Sequence, residues 1–124
     1  MEKKTIAYIA HPVGGDVKGN IKKILQIVRS INLSEPSVIP FVPYMSDIMA
    51  MNDDQPEERK RGLSNDFYII QSGIVDELRL YGSGISKGMA QEIFHAFSAQ
   101  VPIKAMTDGT RLDFLGQNFL NKTL

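Results

Sequence analysis

The sequence contains no cysteine among its 124 residues, which excludes disulfides, thiolate metal sites and a cysteine nucleophile and fits a reducing compartment. It has no excess of either charge, since 14 basic residues balance 14 acidic ones. A broad nucleic-acid face or an anionic-membrane surface is therefore not indicated, and a small or locally charged ligand matches better. No apolar run approaches the ~20 residues of a membrane span. Met1-Glu2-Lys3-Lys4 leads straight into a strand-like segment rather than a signal-peptide hydrophobic region. The expectation is a cytoplasmic protein whose partners include neither a membrane nor a nucleic-acid polymer. Repeats, linkers and low-complexity tracts are missing as well. Histidine is scarce, His11 and His95 standing alone, and two lone histidines do not make a metal site. Neither metal nor cofactor enters the reading.

What is present is enough apolar material, 43% of residues, for one core and one domain over 1–124, with a main body at about 5–105 and a tail at 106–124. "TIAYIA", Thr5 to Ala10, is β-rich and nearly all apolar, as a strand buried on both faces would be. After "HPVGGD", Val17, Ile21, Ile24, Val28 and Ile31 recur at helical spacing, with Asp16 placed as N-cap. "SVIPFV", Ser37 to Val42, predicts a second strand, pushed towards a sheet edge because Pro40 cannot donate to a ladder. A polar loop through Asn52, Asp53 and Asp54 follows, in which solvation suffices to explain the acids.

Pro56, Glu57 and Glu58 suit the first turn of a second helix whose buried stripe is Leu63, Phe67 and Ile70. Ile74 to Tyr81 predicts a third strand, Ser86 to Gln100 a third helix and "VPIKAM" a fourth strand. Asp108-Gly109 predicts a turn into a last short strand, Arg111 to Leu115. Alternating β and α elements imply an α/β fold, a flavodoxin-like (Rossmann-like) three-layer sandwich with a mostly parallel sheet of four to five strands. In such sheets the ligand lies beyond the carboxyl ends of the strands at the switch point. The loops there would be "HPVGGD" and "GSGISKG", the two richest in glycine.

The second of these is not a dinucleotide fingerprint, because Gly82, Gly84 and Gly88 are spaced Gly-x-Gly-x-x-x-Gly and fall late in the chain. No Walker A string occurs. On the helix that follows, Met89, Ala90, Ile93, Phe94 and Phe97 form the apolar arc, with Glu92 at its edge. Asp66 has the same relation to the stripe of the second helix. Two carboxylates at core boundaries suit acid/base or glycosyl chemistry if they converge, and are ordinary salt-bridging boundary residues if they do not. Ser86 has two readings, an N-cap alone or an anion site shared with the N–H groups of Lys87 and Gly88. Gly14 and Gly15 either permit a tight turn or let the backbone approach a sugar or phosphate. His11, beside Pro12, and His95 are weaker candidates.

Taken together, "YIAHPVGGD", "SNDFYIIQSGIVDELRLYG" and "SKGMAQEI" resemble the nucleoside 2-deoxyribosyltransferase-like superfamily, in particular its small phage and bacterial members and its branch of nucleoside 5′-monophosphate N-glycosidases. The resemblance covers about residues 5 to 105. It implies a flavodoxin-like fold, a homodimer or larger homo-oligomer, and a nucleoside or nucleotide ligand. By that resemblance Glu92 falls on the catalytic glutamate that attacks the anomeric carbon, and Asp66, in Asn65-Asp66, on an active-site aspartate. Tyr8 and the Gly14-Gly15 turn fall on the first substrate loop. Ser86 stands where transferases of free nucleosides tend to carry aspartate and monophosphate hydrolases serine; a serine can donate to phosphate, an aspartate would repel it. The arginine that follows the first strand in the monophosphate hydrolases has no counterpart, with Val13 and Gly14 in that region. Phosphate would then rest on backbone amides, Ser86 and Lys87.

The candidate site thus comprises Glu92 and Asp66 as catalytic residues, with Tyr8, His11, Gly14, Gly15, Asn65, Gly84, Ser86, Lys87, Gly88 and Met89 around the substrate. The expected activity is N-glycosidase or deoxyribosyl transfer on a nucleoside 5′-monophosphate. A non-catalytic protein that senses or sequesters a nucleotide would use the same crevice without turnover, and a structural assembly subunit would fill it with its own side chains.

Overall fold

The computed structural model describes residues 1–122. Its elements are β1 (Thr5–Ala10), α1 (Val17–Ser34), β2 (Val38–Phe41), α2 (Tyr44–Ala50), α3 (Pro56–Gln71), β3 (Glu77–Leu80), α4 (Lys87–Ser98), β4 (Ile103–Ala105), α5 (Asp108–Leu115) and a 3₁₀ turn at Leu120–Lys122. The four strands form one parallel sheet in the order β2-β1-β3-β4. β1 is shared lengthwise, Thr5 to Tyr8 lying beside Val38 to Phe41 and Ala7 to Ala10 beside Glu77 to Leu80. β2, with Pro40 at its centre, is an edge strand, as a missing N–H requires.

Because side chains alternate along a strand, β1 feeds both layers. Tyr8 and Ala10 join Leu78, Leu80, Ile70, Met89, Ala90, Ile93 and Ala96 in the larger core, under α3 and α4. Ala7 and Ile9 pack with Ile27 and Ile31 of α1 on the opposite face. The result is an α/β three-layer sandwich of flavodoxin-like type. The chain steps from β1 outward to β2, then crosses back past β1 to β3, so the connections diverge between β1 and β3 and open a crevice at their carboxyl ends. No helix among the described residues is long and apolar enough to cross a membrane.

Three expectations are corrected. Arg111 to Leu115 is not a fifth strand but part of α5, because Thr107 and Thr110 close a reciprocal capping box and the Thr107 hydroxyl is anchored to the Gly82 carbonyl at 2.7 Å. The segment after β2 is not all loop: Tyr44 to Ala50 is helical, a stretch too short for its periodicity to be read, held by the Tyr44 hydroxyl donating to the Ile9 carbonyl at 2.5 Å. The apolar arc of α4 is narrower than its sequence suggests, since Phe94 and Phe97 are exposed while Glu92 is buried with Met89, Ala90, Ile93 and Ala96. Phe97 meets only the end of the core, where its ring stacks on Phe114 at 6.4 Å. In the tail, Phe119 is buried and stacks on Phe114, whereas Leu115 stays exposed; Thr123 and Leu124 lie outside the described residues.

Candidate functional site

A cleft of about 290 Å³ opens at the switch point. The loop after β1 contributes His11, Pro12, Val13 and Gly14; the start of α4 contributes Ser86, Lys87, Gly88, Met89 and Glu92; α2 and α3 contribute Tyr44, Asp47, Arg59, Gly62, Leu63 and Asp66. The β1 and β3 loops meet at Gly82, whose φ is +98° and where a Cβ would lie 2.6 Å from Pro12 Cδ. The first loop is also tied to α1, Asn20 donating to the carbonyls of Val13 at 3.0 Å and Gly14 at 3.1 Å.

α3 and α4 run side by side in the same direction. Arg59 and Leu63 lie beside Gly88 at one end, and Phe67 stacks on His95 at 4.1 Å further along. Each helix therefore brings its N-terminal turn to one end of the cleft and a carboxylate to the interior. Ser86 caps α4, its Oγ accepting the Met89 N–H at 3.3 Å. At the next two positions the N–H groups of Lys87 and Gly88 have no acceptor further back in the helix.

The interior is acidic, and both of its carboxylates, Glu92 and Asp66, are buried. Glu92, 6% exposed, accepts the hydroxyl hydrogen bond of Tyr8 from the central strand. Burial pushes its carboxyl up to about 8; the Tyr8 bond works against that rise and the Asp66 charge adds to it. Asp66 is 5% exposed, and its Oδ1 has no hydrogen-bond partner. Burial, with the Asp47 charge second, raises it to about 7. Tyr8 and Tyr44, their rings 5.9 Å apart, both have hydroxyls pushed well above the usual range, by burial first and the carboxylates second, so they remain proton donors. Burial lowers His11, which leaves it neutral, with Nδ1 2.7 Å from the Pro12 carbonyl oxygen. An unpartnered buried acceptor in a cleft matches a donor arriving with a ligand, because leaving it unpaired costs ~1–3 kcal/mol.

Of the residues singled out by sequence, His11, Gly14, Asp66, Ser86, Lys87, Gly88, Met89 and Glu92 line this cleft. Tyr8 reaches it only through Glu92. Asn65 turns to Asp47 at 3.3 Å, Gly15 takes the turn with φ +85°, and Gly84 is backed by Asp113 of α5, which accepts the Ile85 N–H at 2.8 Å. The first half of "GSGISKG" is therefore occupied by α5, and only its second half faces the cleft. Tyr44, Asp47 and Arg59 escaped the sequence reading. The first two lie on the short α2, but Arg59 had a signal, standing four residues before Leu63 and seven before Asp66 on one helix face. Asp53 pairs with Arg59 at 2.8 Å and lines the rim rather than merely facing solvent.

Among known families, the one described as a domain of unknown function, DUF7768, matches residues 5–106, so the chain belongs to it. No curated protein and no solved structure matches.

Proposed function

We propose that this member of the DUF7768 family is a nucleotide N-glycosidase or deoxyribosyltransferase-like enzyme that acts on a nucleoside 5′-monophosphate through Glu92. The reading rests above all on two buried carboxylates, Glu92 and Asp66, in one cleft whose other end is a helix N-terminus with no acid in its first turn. It extends the resemblance to the nucleoside 2-deoxyribosyltransferase-like superfamily. The 5′-phosphate lies at Ser86 and the amides of Lys87 and Gly88, where charge-assisted hydrogen bonds and the helix dipole favour an anion. The sugar lies over Met89 with its anomeric carbon at Glu92, and the base points towards Asp66, Asp47 and Tyr44.

A Glu92 oxygen attacks C1′, and the glycosidic bond breaks with its electron pair passing to the base nitrogen, which takes a proton from Asp66. Water then displaces Glu92 from C1′ and gives its proton to Asp66; in a transfer, a second base takes the place of water. Between pH values of about 7 and 8 the pair holds one proton. Positive charge developing at C1′ stabilises the ionised Glu92 and leaves the proton to Asp66, the other buried carboxyl of the pair.

One observation favours a second reading, a non-catalytic protein that senses or sequesters a nucleotide. Glu92 is held by Tyr8 and burial pushes its carboxyl up to about 8, which suits a hydrogen-bond partner to a ligand as well as a latent nucleophile. Chromatography of the purified protein incubated with a panel of nucleoside monophosphates separates the two. Release of free base selects the enzyme, and retention of intact nucleotide selects the binder. Neither result, across ribo- and deoxyribonucleotides, overturns both. Within this reading the protein works in the cytoplasm as a dimer or larger homo-oligomer, for which Tyr68, Phe94 and Phe97, exposed along α3 and α4, provide apolar surface.

A further inference from the structure

We propose that Arg59 is the residue that reads the phosphate, and that it does so by exchanging Asp53 for the ligand; this rests on the nucleoside-monophosphate reading above. Arg59 lies two helical turns before Asp66 on α3, which separates them by ~10.5 Å along the axis and sets a cation at the rim and a carboxylate in the interior. Its Nη2 is 3.9 Å from the position a Cβ on Gly88 would take, so the guanidinium stands over the first turn of α4.

That placement inverts the usual rule for helix ends. The N-terminus of a helix carries partial positive charge and is normally met by acids. The first turn of α4 has none, and two cations, Lys87 and Arg59, gather there instead. An anion between the guanidinium and the free amides of Lys87 and Gly88 converts this like-signed cluster into a set of charge-assisted donors. Asp66 Oδ1, unpartnered and buried in the same cleft, is the independent sign that a ligand completes the site.

Asp53 is the internal substitute for that anion. It holds Arg59 through one contact, Nη1 to Oδ2 at 2.8 Å, with the two side chains 39% and 31% exposed. A pair this open to solvent is weak and easily surrendered. The loop carrying it, between α2 and α3, is folded back by the Asn52 N–H donating to Glu58 Oε1 at 3.1 Å, which keeps Asp53 within reach of the guanidinium. A dianionic phosphate displaces the single carboxylate, whereas a nucleoside leaves the pair closed. Discrimination between the two then resides in α3, although the sequence offers no arginine after β1.

The test is calorimetric titration of wild type, Arg59→Gln, Arg59→Lys and Asp53→Asn with adenosine, guanosine, cytidine and uridine, their 2′-deoxy forms and the corresponding 5′-monophosphates. Arg59→Gln is expected to weaken the bound monophosphate about 10–100-fold, from charge-assisted bonds lost, and to leave the nucleoside unchanged. Arg59→Lys should recover part of the loss, a point charge replacing a planar fork. Asp53→Asn should tighten the monophosphate several-fold by removing the competitor, a gain that a purely structural ion pair would not give. If wild type binds a monophosphate and Arg59→Gln binds it equally well, or loses nucleoside and nucleotide alike, the Arg59 assignment falls and the function stands. If Asp53→Asn weakens the monophosphate, the exchange falls. If wild type binds neither class of ligand, both readings fall together. Circular dichroism melts of each variant identify any loss caused by misfolding, and Asp53→Asn, a loop change at the rim, tests the exchange even where an Arg59 variant does not fold.

Discussion

At the residue scale the decisive fact is that two acids are kept out of water and only one is supplied with a donor. Burial raises the Asp66 carboxyl from its ordinary 3.8 to about 7 in the fold, so the folded state holds a proton that the unfolded chain gives up. Its contribution is complete below about pH 4 and is lost as pH rises towards 7, at up to ~1.4 kcal/mol per unit; Glu92 extends the decline to about 8. Asp66→Asn should remove part of this slope and, at pH 8, stabilise the protein by on the order of a few kcal/mol, read as a rise in thermal midpoint that vanishes near pH 4. A pH-independent difference would mean that Asp66 is already hydrated. Glu92→Gln keeps an acceptor for Tyr8 but deletes the nucleophile. Ligand binding should persist while base release falls by several orders of magnitude, and undiminished release by that variant would exclude the assigned role.

At the element scale, α4 carries the proposed phosphate site and α5 braces the loop that leads into it. Ser86→Asp leaves α4 capped, since aspartate is as good an N-cap as serine. The new carboxylate nevertheless repels phosphate while accepting a bond from a free 5′-hydroxyl. Titration with a nucleoside and its 5′-monophosphate should show the preference for the monophosphate reversed; if wild type and variant rank the two ligands alike, Ser86 is a cap and nothing more. The brace is tested at Gly109, where an added Cβ would lie 2.0 Å from the Ser83 carbonyl oxygen. Gly109→Ala should displace α5 from the β3–α4 loop and destabilise the fold by ~1–3 kcal/mol or more. Asp113 would then lose its hold on the Ile85 N–H, so ligand affinity should fall with stability in the same variant.

At the scale of the whole molecule, large apolar side chains are partly folded back on the domain and partly left exposed. Phe114 and Phe119 fold back on the domain, Phe119 being 4% exposed, while Tyr68, Phe94 and Phe97 of α3 and α4 remain 58–78% exposed. Apolar side chains gathered along adjacent parallel helices are the kind of surface that self-association buries. Light scattering is expected to give a mass above the 13.8 kDa of one chain, and Phe94→Lys with Phe97→Lys to reduce it. A concentration-independent monomer in the wild type rejects the oligomer.

The order of the four strands and of the long helices α1, α3 and α4 was legible in the sequence because those segments carried their own period, whereas the short α2 and α5 did not. Thr5 to Ala10 has the same bounds in the fold, and Asp16 and Ser86 cap the helices they precede, since a cap acts on backbone groups only three residues away. Glu92, Asp66 and the two glycine-bearing loops were legible as candidates for the same local reason. Contacts between distant segments decided the rest. Periodicity could place Glu92 at the edge of an arc, but its burial depends on Tyr8, 84 residues earlier, rising from the central strand beneath it. Arg59 carried the right spacing from Asp66, yet its place over Gly88 follows only from α3 and α4 running in parallel. Gly84 looked like part of an anion loop until Asp113 approached it from a segment that read as a strand and folds as a helix. Local chemistry fixes what each element is, whereas charge, burial and access at a site arise where elements meet, and those quantities belong to the tertiary structure.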